Sequence, residues 1–283
     1  MDKVTAPSVK AAKGGDKLRM VTAYDAPSAR IADRAGADII LVGDSLANVV
    51  LGYDSTPQVT MDQMIHHTAA VTRTKPRALV VGDMPWLSYH VTVEDSVRNA
   101  GRFIQEGGAG AVKLEGGLKR IHTIEAILDA EIPVMGHIGL TPQSVHAMGG
   151  YKVQGRGLEA ARALMDDARA LAAAGVFSIV LEGVPDAVAQ MITEDVDVPT
   201  IGIGAGPDCD GQVLVFHDVL GLHDGHLPKF VRKYADLADL AVAALEQFFG
   251  DVQSGEFPAA AETYHLSDEV AAALREGRAP SGD

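Results

Sequence analysis

Three stretches of the chain share one pattern: RAGADIILVGD (34–44), GGAGAVKLEG (107–116) and AAAGVFSIVLEG (172–183). Each reads as a helix end, a glycine, a short apolar strand and then an acid. Gly36, Gly110 and Gly175 suit the left-handed turn that ends or follows a helix, where a side chain would clash. An apolar run with no polar alternation is a strand buried on both faces, and such strands belong to parallel sheets wrapped in helices.

Outward from these stretches, eight apolar runs stand out, at 18–24, 38–44, 78–83, 111–115, 132–137, 177–182, 200–204 and 212–217. Ala-rich segments of helical period lie between most of them, such as Leu158, Ala161, Leu164, Met165, Ala168, Leu171 and Ala172 on one face. Eight units of this kind predict an α/β chain folded as a single-domain (β/α)8 TIM barrel over residues 1–266, with 267–283 a short, frayed C-terminal tail. Between the seventh and eighth runs only residues 205–211 remain, too few for a standard helical crossover. Either that helix is degenerate or one of the two runs is not a strand.

With 24 Lys plus Arg against 38 Asp plus Glu, the net charge is −14, which repels phosphodiester backbones and anionic lipid. Nucleic acid and membrane surfaces are therefore excluded as expected partners. The lone cysteine, Cys209, rules out an internal disulfide, fits a reducing compartment and reads as a buried structural thiol. No run approaches the roughly 18 apolar residues of a membrane span, and the first 17 residues lack the apolar core of a signal peptide. A cytoplasmic protein is expected.

Polar residues fall where the apolar runs end: Tyr24, Asp44, Asp83, Lys113 with Glu115, His137, Glu182 and His217. In a barrel these ends meet at one rim, the face that carries active sites in this fold. Asp44, Asp83 and Glu115 close consecutive runs, and three carboxylates gathered at low dielectric repel one another unless a hard cation relieves them, which suggests Mg2+. The alternative is that each acid caps the helix that follows.

Lys113 and Glu115, two apart, share a strand face, where a buried ammonium needs an anion: a substrate carboxylate or the neighbouring acids. Glu182 follows Ile179, Val180 and Leu181, an apolar setting that raises a carboxyl pKa toward the range of a general base, although it could equally serve as a fourth ligand. His137 and His217 are less specific and read as structural or substrate contacts. Two long connections, 45–61 and 138–156, have the rim position and glycines of lids. The glycines of IGIGAGPDCDGQ (201–212) fit close backbone approach, but the stretch lacks the lysine of a phosphate loop.

Several long motifs in order, TAYDAPSARIADRAGADIILVGDSLANVVLGYDST (22–56), VTMDQMIHHTAAVTR (59–73), GAVKLEGG (110–117), GHIGLTPQSVHAMGGYKVQGR (136–156) and IGIGAGPDCDGQVLVFHDVLG (201–221), make the chain resemble the ketopantoate hydroxymethyltransferase family. The resemblance runs from about Thr5 to His265; the tail after Leu266 departs from it. It implies a homodecameric (β/α)8 enzyme of the phosphoenolpyruvate/pyruvate superfamily that serves pantothenate and coenzyme A biosynthesis. The implied reaction moves a hydroxymethyl group from 5,10-methylenetetrahydrofolate to 3-methyl-2-oxobutanoate, giving 2-dehydropantoate through a Mg2+-bound enolate. The family's metal carboxylates match Asp44, Asp83 and Glu115, its substrate contacts match Asp44, Ser45, Asp83 and Lys113, and its catalytic base matches Glu182. Two other readings compete: a C–C or C–P lyase that chelates a 2-oxo acid in the same way, and a noncatalytic barrel that binds a carboxylate metabolite. No residue set singles out a pterin pocket.

Overall fold

The computed structural model describes residues 2–150, 152–222, 225 and 227–277, which fall into two compact units divided between Ala235 and Asp236. The first unit is a closed barrel of eight parallel strands in sequential order. They are β1 (Leu18–Thr22), β2 (Ile39–Val42), β3 (Leu79–Asp83), β4 (Ala111–Glu115), β5 (Val134–Gly139), β6 (Ser178–Glu182), β7 (Thr200–Ile203) and β8 (Gly211–Leu214). β8 pairs back onto β1, with Leu18 opposite Gly211, so no edge is left unpaired.

The helices of this unit are α1 (Ala6–Lys10), α2 (Ala26–Arg34), α3 (Leu46–Val49), α4 (Met61–Thr72), α5 (Val93–Gln105), α6 (Ile121–Asp129), α7 (Val145–Met148), α8 (Leu158–Ala174), α9 (Asp186–Asp195) and α10 (Phe216–Leu220). Their starts are written in the sequence. Asp25, Thr60 and Thr92 cap α2, α4 and α5 by accepting from backbone N–H groups of the first turn. The second unit holds α11 (Leu237–Ser254) and α12 (Asp268–Glu276), the latter lying in the stretch read from sequence as a frayed tail.

Strand residues alternate between two apolar layers. Leu18, Met20, Ile39, Leu41, Leu79 and Val81 belong to the cluster that fills the barrel, and Ala6 and Val9 of α1 close it from below. Their neighbours Ile40, Val42, Val80 and Val112 belong to the larger cluster between the strands and the surrounding helices. At Gly82 the outward face is bare, because a Cβ there would overlap the Phe103 ring; this lets α5 sit directly on β3.

Both runs at 200–204 and 212–217 contain strands, and no helix joins β7 to β8. The seven intervening residues, at up to about 3.3–3.6 Å each, suffice to run back along so short a pair. Cys209 packs behind this seam with none of its surface exposed.

Two local expectations are corrected. The eighth strand ends at Leu214, and His217 lies in α10, because the Phe216 N–H donates to Thr22 Oγ1 and the chain turns there into helix. In the second repeat the left-handed residue is Gly108 (φ +68°), not Gly110. Gly110 answers a close approach instead, since a Cβ there would lie 2.8 Å from Leu79 Cδ1. Gly36 and Gly175 take the expected positive φ.

Candidate active site

Strand alternation decides which polar groups enter the barrel. With Leu79 and Val81 pointing inward, Asp83 points inward too, and by the same rule Ala111 brings in Lys113 and Glu115. Met135 brings in His137, and Val180 brings in Glu182. Asp44 and Ser45 follow the end of β2. The sequence-predicted acids, Lys113, Ser45 and His137 all line one cavity of about 1220 Å³ at the C-terminal rim. Tyr24 is buried behind it, with its hydroxyl 2.8 Å from Ser45 Oγ. His217 packs against the Tyr24 ring, with centroids 5.5 Å apart.

Register places opposite charges side by side. Asp83 is the β-partner of Lys113, and their Oδ1 and Nζ atoms are 2.9 Å apart in a pair almost wholly buried. Burial works against the Lys113 ammonium, but Asp83, Glu115 and Asp44 outweigh it and hold its pKa above the ordinary lysine value. Burial lifts the Asp83 carboxyl, Lys113 pulls it back down, and Asp44 adds to the rise. Burial and then Asp44 raise Glu115 well above the usual carboxylate range.

His137 is the β-partner of Glu115 and sits between Lys113 and Glu182. Lys113 Nζ lies 3.1 Å from Nδ1, and Glu182 Oε2 lies 3.2 Å from Nε2 in a contact that is not aligned as a hydrogen bond. Burial, reinforced by Lys113, drives the imidazole pKa well below its ordinary value, so the ring is neutral. An ammonium can only donate, so Nδ1 must accept and the ring proton belongs on Nε2, facing Glu182. Glu182 itself is pushed up to about 7 by burial, against the pull of Lys113.

Among the described residues, no three His, Cys, Asp or Glu side chains close into a metal cage made of protein alone. The donor set nonetheless fits a hard cation that takes its remaining ligands from substrate and water. Glu115 Oε1 is buried with no hydrogen-bond partner. Of the three expected ligands, Asp83 is the most committed, with Oδ1 beside Lys113 and Oδ2 accepting from the Asp44 N–H at 3.1 Å.

Two functional neighbours were not visible beforehand. Gln143 and Tyr89 reach Asp44 and Glu115 from loops, and their roles depend on a convergence that no local pattern records. The turn signal in TPQS places Gln143 on a short 3-10 turn but says nothing about what its amide meets.

A closed parallel barrel with acids, a lysine and a neutral histidine at its C-terminal rim defines a (β/α)8 protein with the layout of a carboxylate-using enzyme. Solved structures that share the fold include 2,3-dimethylmalate lyase, described as a PEP mutase/isocitrate lyase superfamily member, with a TM-score of 0.56 and 18% identity, covering 98% of this chain and 96% of that one. Phosphonopyruvate hydrolase is similar at a TM-score of 0.59 and 14% identity, with the same coverage. The family profile described as ketopantoate hydroxymethyltransferase matches residues 3–260, and the chain belongs to that family. It is 60% identical to the 3-methyl-2-oxobutanoate hydroxymethyltransferase of Syntrophomonas wolfei over 91% of this chain and 94% of the relative. The enzyme of the same name from Carboxydothermus hydrogenoformans is 55% identical over 95% of this chain and 98% of its own.

Proposed function

We propose that this chain transfers a hydroxymethyl group from 5,10-methylenetetrahydrofolate to 3-methyl-2-oxobutanoate, giving 2-dehydropantoate for pantothenate synthesis. The observation that carries the reading is Glu182, poised at about 7 beside His137, in one cavity with Lys113, Asp44 and Glu115. Asp44, Asp83 and Glu115 would hold Mg2+, which supplies Lewis acidity toward the 2-oxo acid. Lys113 offers its ammonium to the substrate carboxylate, and Ser45 a hydroxyl at the cavity wall. Glu182 takes the proton from C3, a step worth about 10²–10⁴ in rate. The electron pair left on C3 forms the bond to the methylene carbon, water supplies the hydroxyl oxygen, and the two C–N bonds of that carbon break as the C3 proton and one from water pass to the folate nitrogens, so that tetrahydrofolate leaves. Lys113 is the group that favours the ionised form of this carboxyl, and the neutral His137 ring stands beside it without adding charge.

A cavity of about 1220 Å³ supports a second, large reactant, since small-molecule sites usually occupy about 300–1,000 Å³. The exposed apolar side chains Leu240, Val242, Leu245, Phe248 and Phe249 of α11 support a homo-oligomer, the decamer that the family implies, and light scattering in solution tests it. A cytoplasmic site of action is part of the same proposal; the single, buried cysteine supports it. No helix among the described residues is long and apolar enough to cross a membrane.

The test is a turnover assay with both substrates and a panel of divalent metals, coupled to deuterium exchange at C3 of the 2-oxo acid without folate. Exchange without hydroxymethyl transfer would favour another chemistry on the same acid. Neither exchange nor transfer would reduce the barrel to a binder.

A further inference from the structure

Gln143 lies on the 3-10 turn Pro142–Ser144 that follows β5, and its side chain is 4% exposed. Every polar atom of its amide is used. Nε2 donates to Asp44 Oδ2 and to the Met84 carbonyl, both at 2.9 Å, and Oε1 accepts from the Tyr89 hydroxyl at 2.6 Å. The reverse amide orientation would set an oxygen against two acceptors, so only this one is satisfied. Its backbone N–H donates to Glu115 Oε2 at 3.0 Å. The same Tyr89 hydroxyl accepts from the Glu115 N–H at 3.2 Å, so the ring of bonds closes on Glu115 at the end of β4.

One residue thus grips one oxygen of each of two rim carboxylates that lie 99 and 28 positions away in sequence. We propose that Gln143 is a positioning residue for the divalent cation: it fixes the rotation of the Asp44 and Glu115 carboxylates so that the second oxygen of each is presented to the ion. This rests on the cation site proposed above. Two acids that repel each other would turn apart if unrestrained, and a neutral double donor holds them without neutralising either charge. Glu115 Oε1, left without a hydrogen-bond partner, is the oxygen this arrangement presents. Tyr89 acts one bond further out by locking the amide, so its phenol orients Gln143 and, through it, Asp44.

Outer partners of this kind typically control metal affinity by about 10–100-fold. The experiment measures Mn2+ and Mg2+ dissociation constants by electron paramagnetic resonance and calorimetry for the wild-type chain, Gln143→Met and Tyr89→Phe, alongside Mg2+ titrations of activity. Gln143→Met keeps the length and the backbone N–H but loses both donors. The expected result is a cation constant weaker by about 10–100-fold, with kcat largely restored at saturating Mg2+. Tyr89→Phe should shift the constant in the same direction by less. A purely structural defect would lower kcat in proportion to the folded fraction and leave the cation constant alone; that pattern overturns the proposal. So does a Gln143→Met protein that binds Mn2+ as the wild type does. If the wild-type chain itself bound no cation, the reading of the site would fall together with the role of Gln143.

Discussion

His137 Nε2 stands 3.2 Å from Glu182 Oε2, at the point where the β5 and β6 ends meet. A neutral imidazole whose other nitrogen faces the Lys113 ammonium cannot compete with Glu182 for a substrate proton. Glu182→Gln should therefore remove the base while keeping shape and polarity. We expect kcat and kcat/KM to fall together by about 10²–10⁴, C3 hydrogen exchange to fall in step, and binding of cation and 2-oxo acid to survive. Exchange at the wild-type rate would move the base elsewhere.

The pH dependence follows from the same carboxyl. Burial raises Glu182 to about 7, and a base works only when ionised. The rate of C3 exchange should climb with pH through about 7 and level off above it, and Glu182→Gln should lose that limb. An exchange rate flat between pH 5 and 9 would contradict it.

Removal of the divalent cation by chelation should abolish turnover, and Asp83→Ala should weaken cation and 2-oxo acid binding together. The second effect follows from the double commitment of Asp83, which neutralises Lys113 and braces the Asp44 N–H. Full activity after chelation, checked by elemental analysis, would refute the metal requirement.

Beneath the barrel, Asp210 accepts from Lys13 Nζ, the Gly14 N–H and the Thr200 N–H at 2.9, 3.0 and 2.8 Å. Burial alone would raise its pKa, but Lys13 and these backbone donors hold it below the usual carboxylate value. That stabilisation is present above the unfolded pKa of about 3.9 and is lost as the pH falls through the lower folded value. Asp210→Ala should cost about 1–3 kcal/mol in urea unfolding at pH 7, with kcat unchanged. The cost should shrink in acid.

Lys152 and Val153 place the connection after β5 against the cavity, and Asn48 and Tyr53 do the same for the one after β2. Bound cation and 2-oxo acid should slow proteolysis within 45–61 or 138–156, followed by mass spectrometry of the fragments. Equal cleavage with and without ligand would remove the lid reading.

The barrel was legible because its strands are short, mainly apolar runs, several of which end in an acid. Asp44, Asp83, Glu115 and Glu182 were found by that position alone, and Lys113 by its two-residue offset from Glu115. Gln143 and Tyr89 escaped because a buried amide or phenol in a loop carries no periodicity; its meaning arises only when β2, β4 and two loops converge. His217 was misplaced because VLVFH reads as continuous strand, while the Phe216 N–H is taken by Thr22 and not by a ladder partner. Gly110 was read as a turn glycine when its constraint is the Leu79 side chain on the neighbouring strand.

The link between Lys13 and Asp210 spans 197 residues, and the Leu18 N–H likewise waits for the Asp210 carbonyl. Translation therefore delivers the two halves of this seal at opposite ends of barrel synthesis. A nascent chain that has not yet released residues 211–214 carries β1 and β7 as open edges and an apolar interior open along that seam. Protection must come late and in one step, because the first strand has no partner on its outer side until the last one leaves the ribosome. The enzyme's most vulnerable moment is thus set by barrel closure, and chaperone demand during synthesis should concentrate on chains that have reached β7 but not β8.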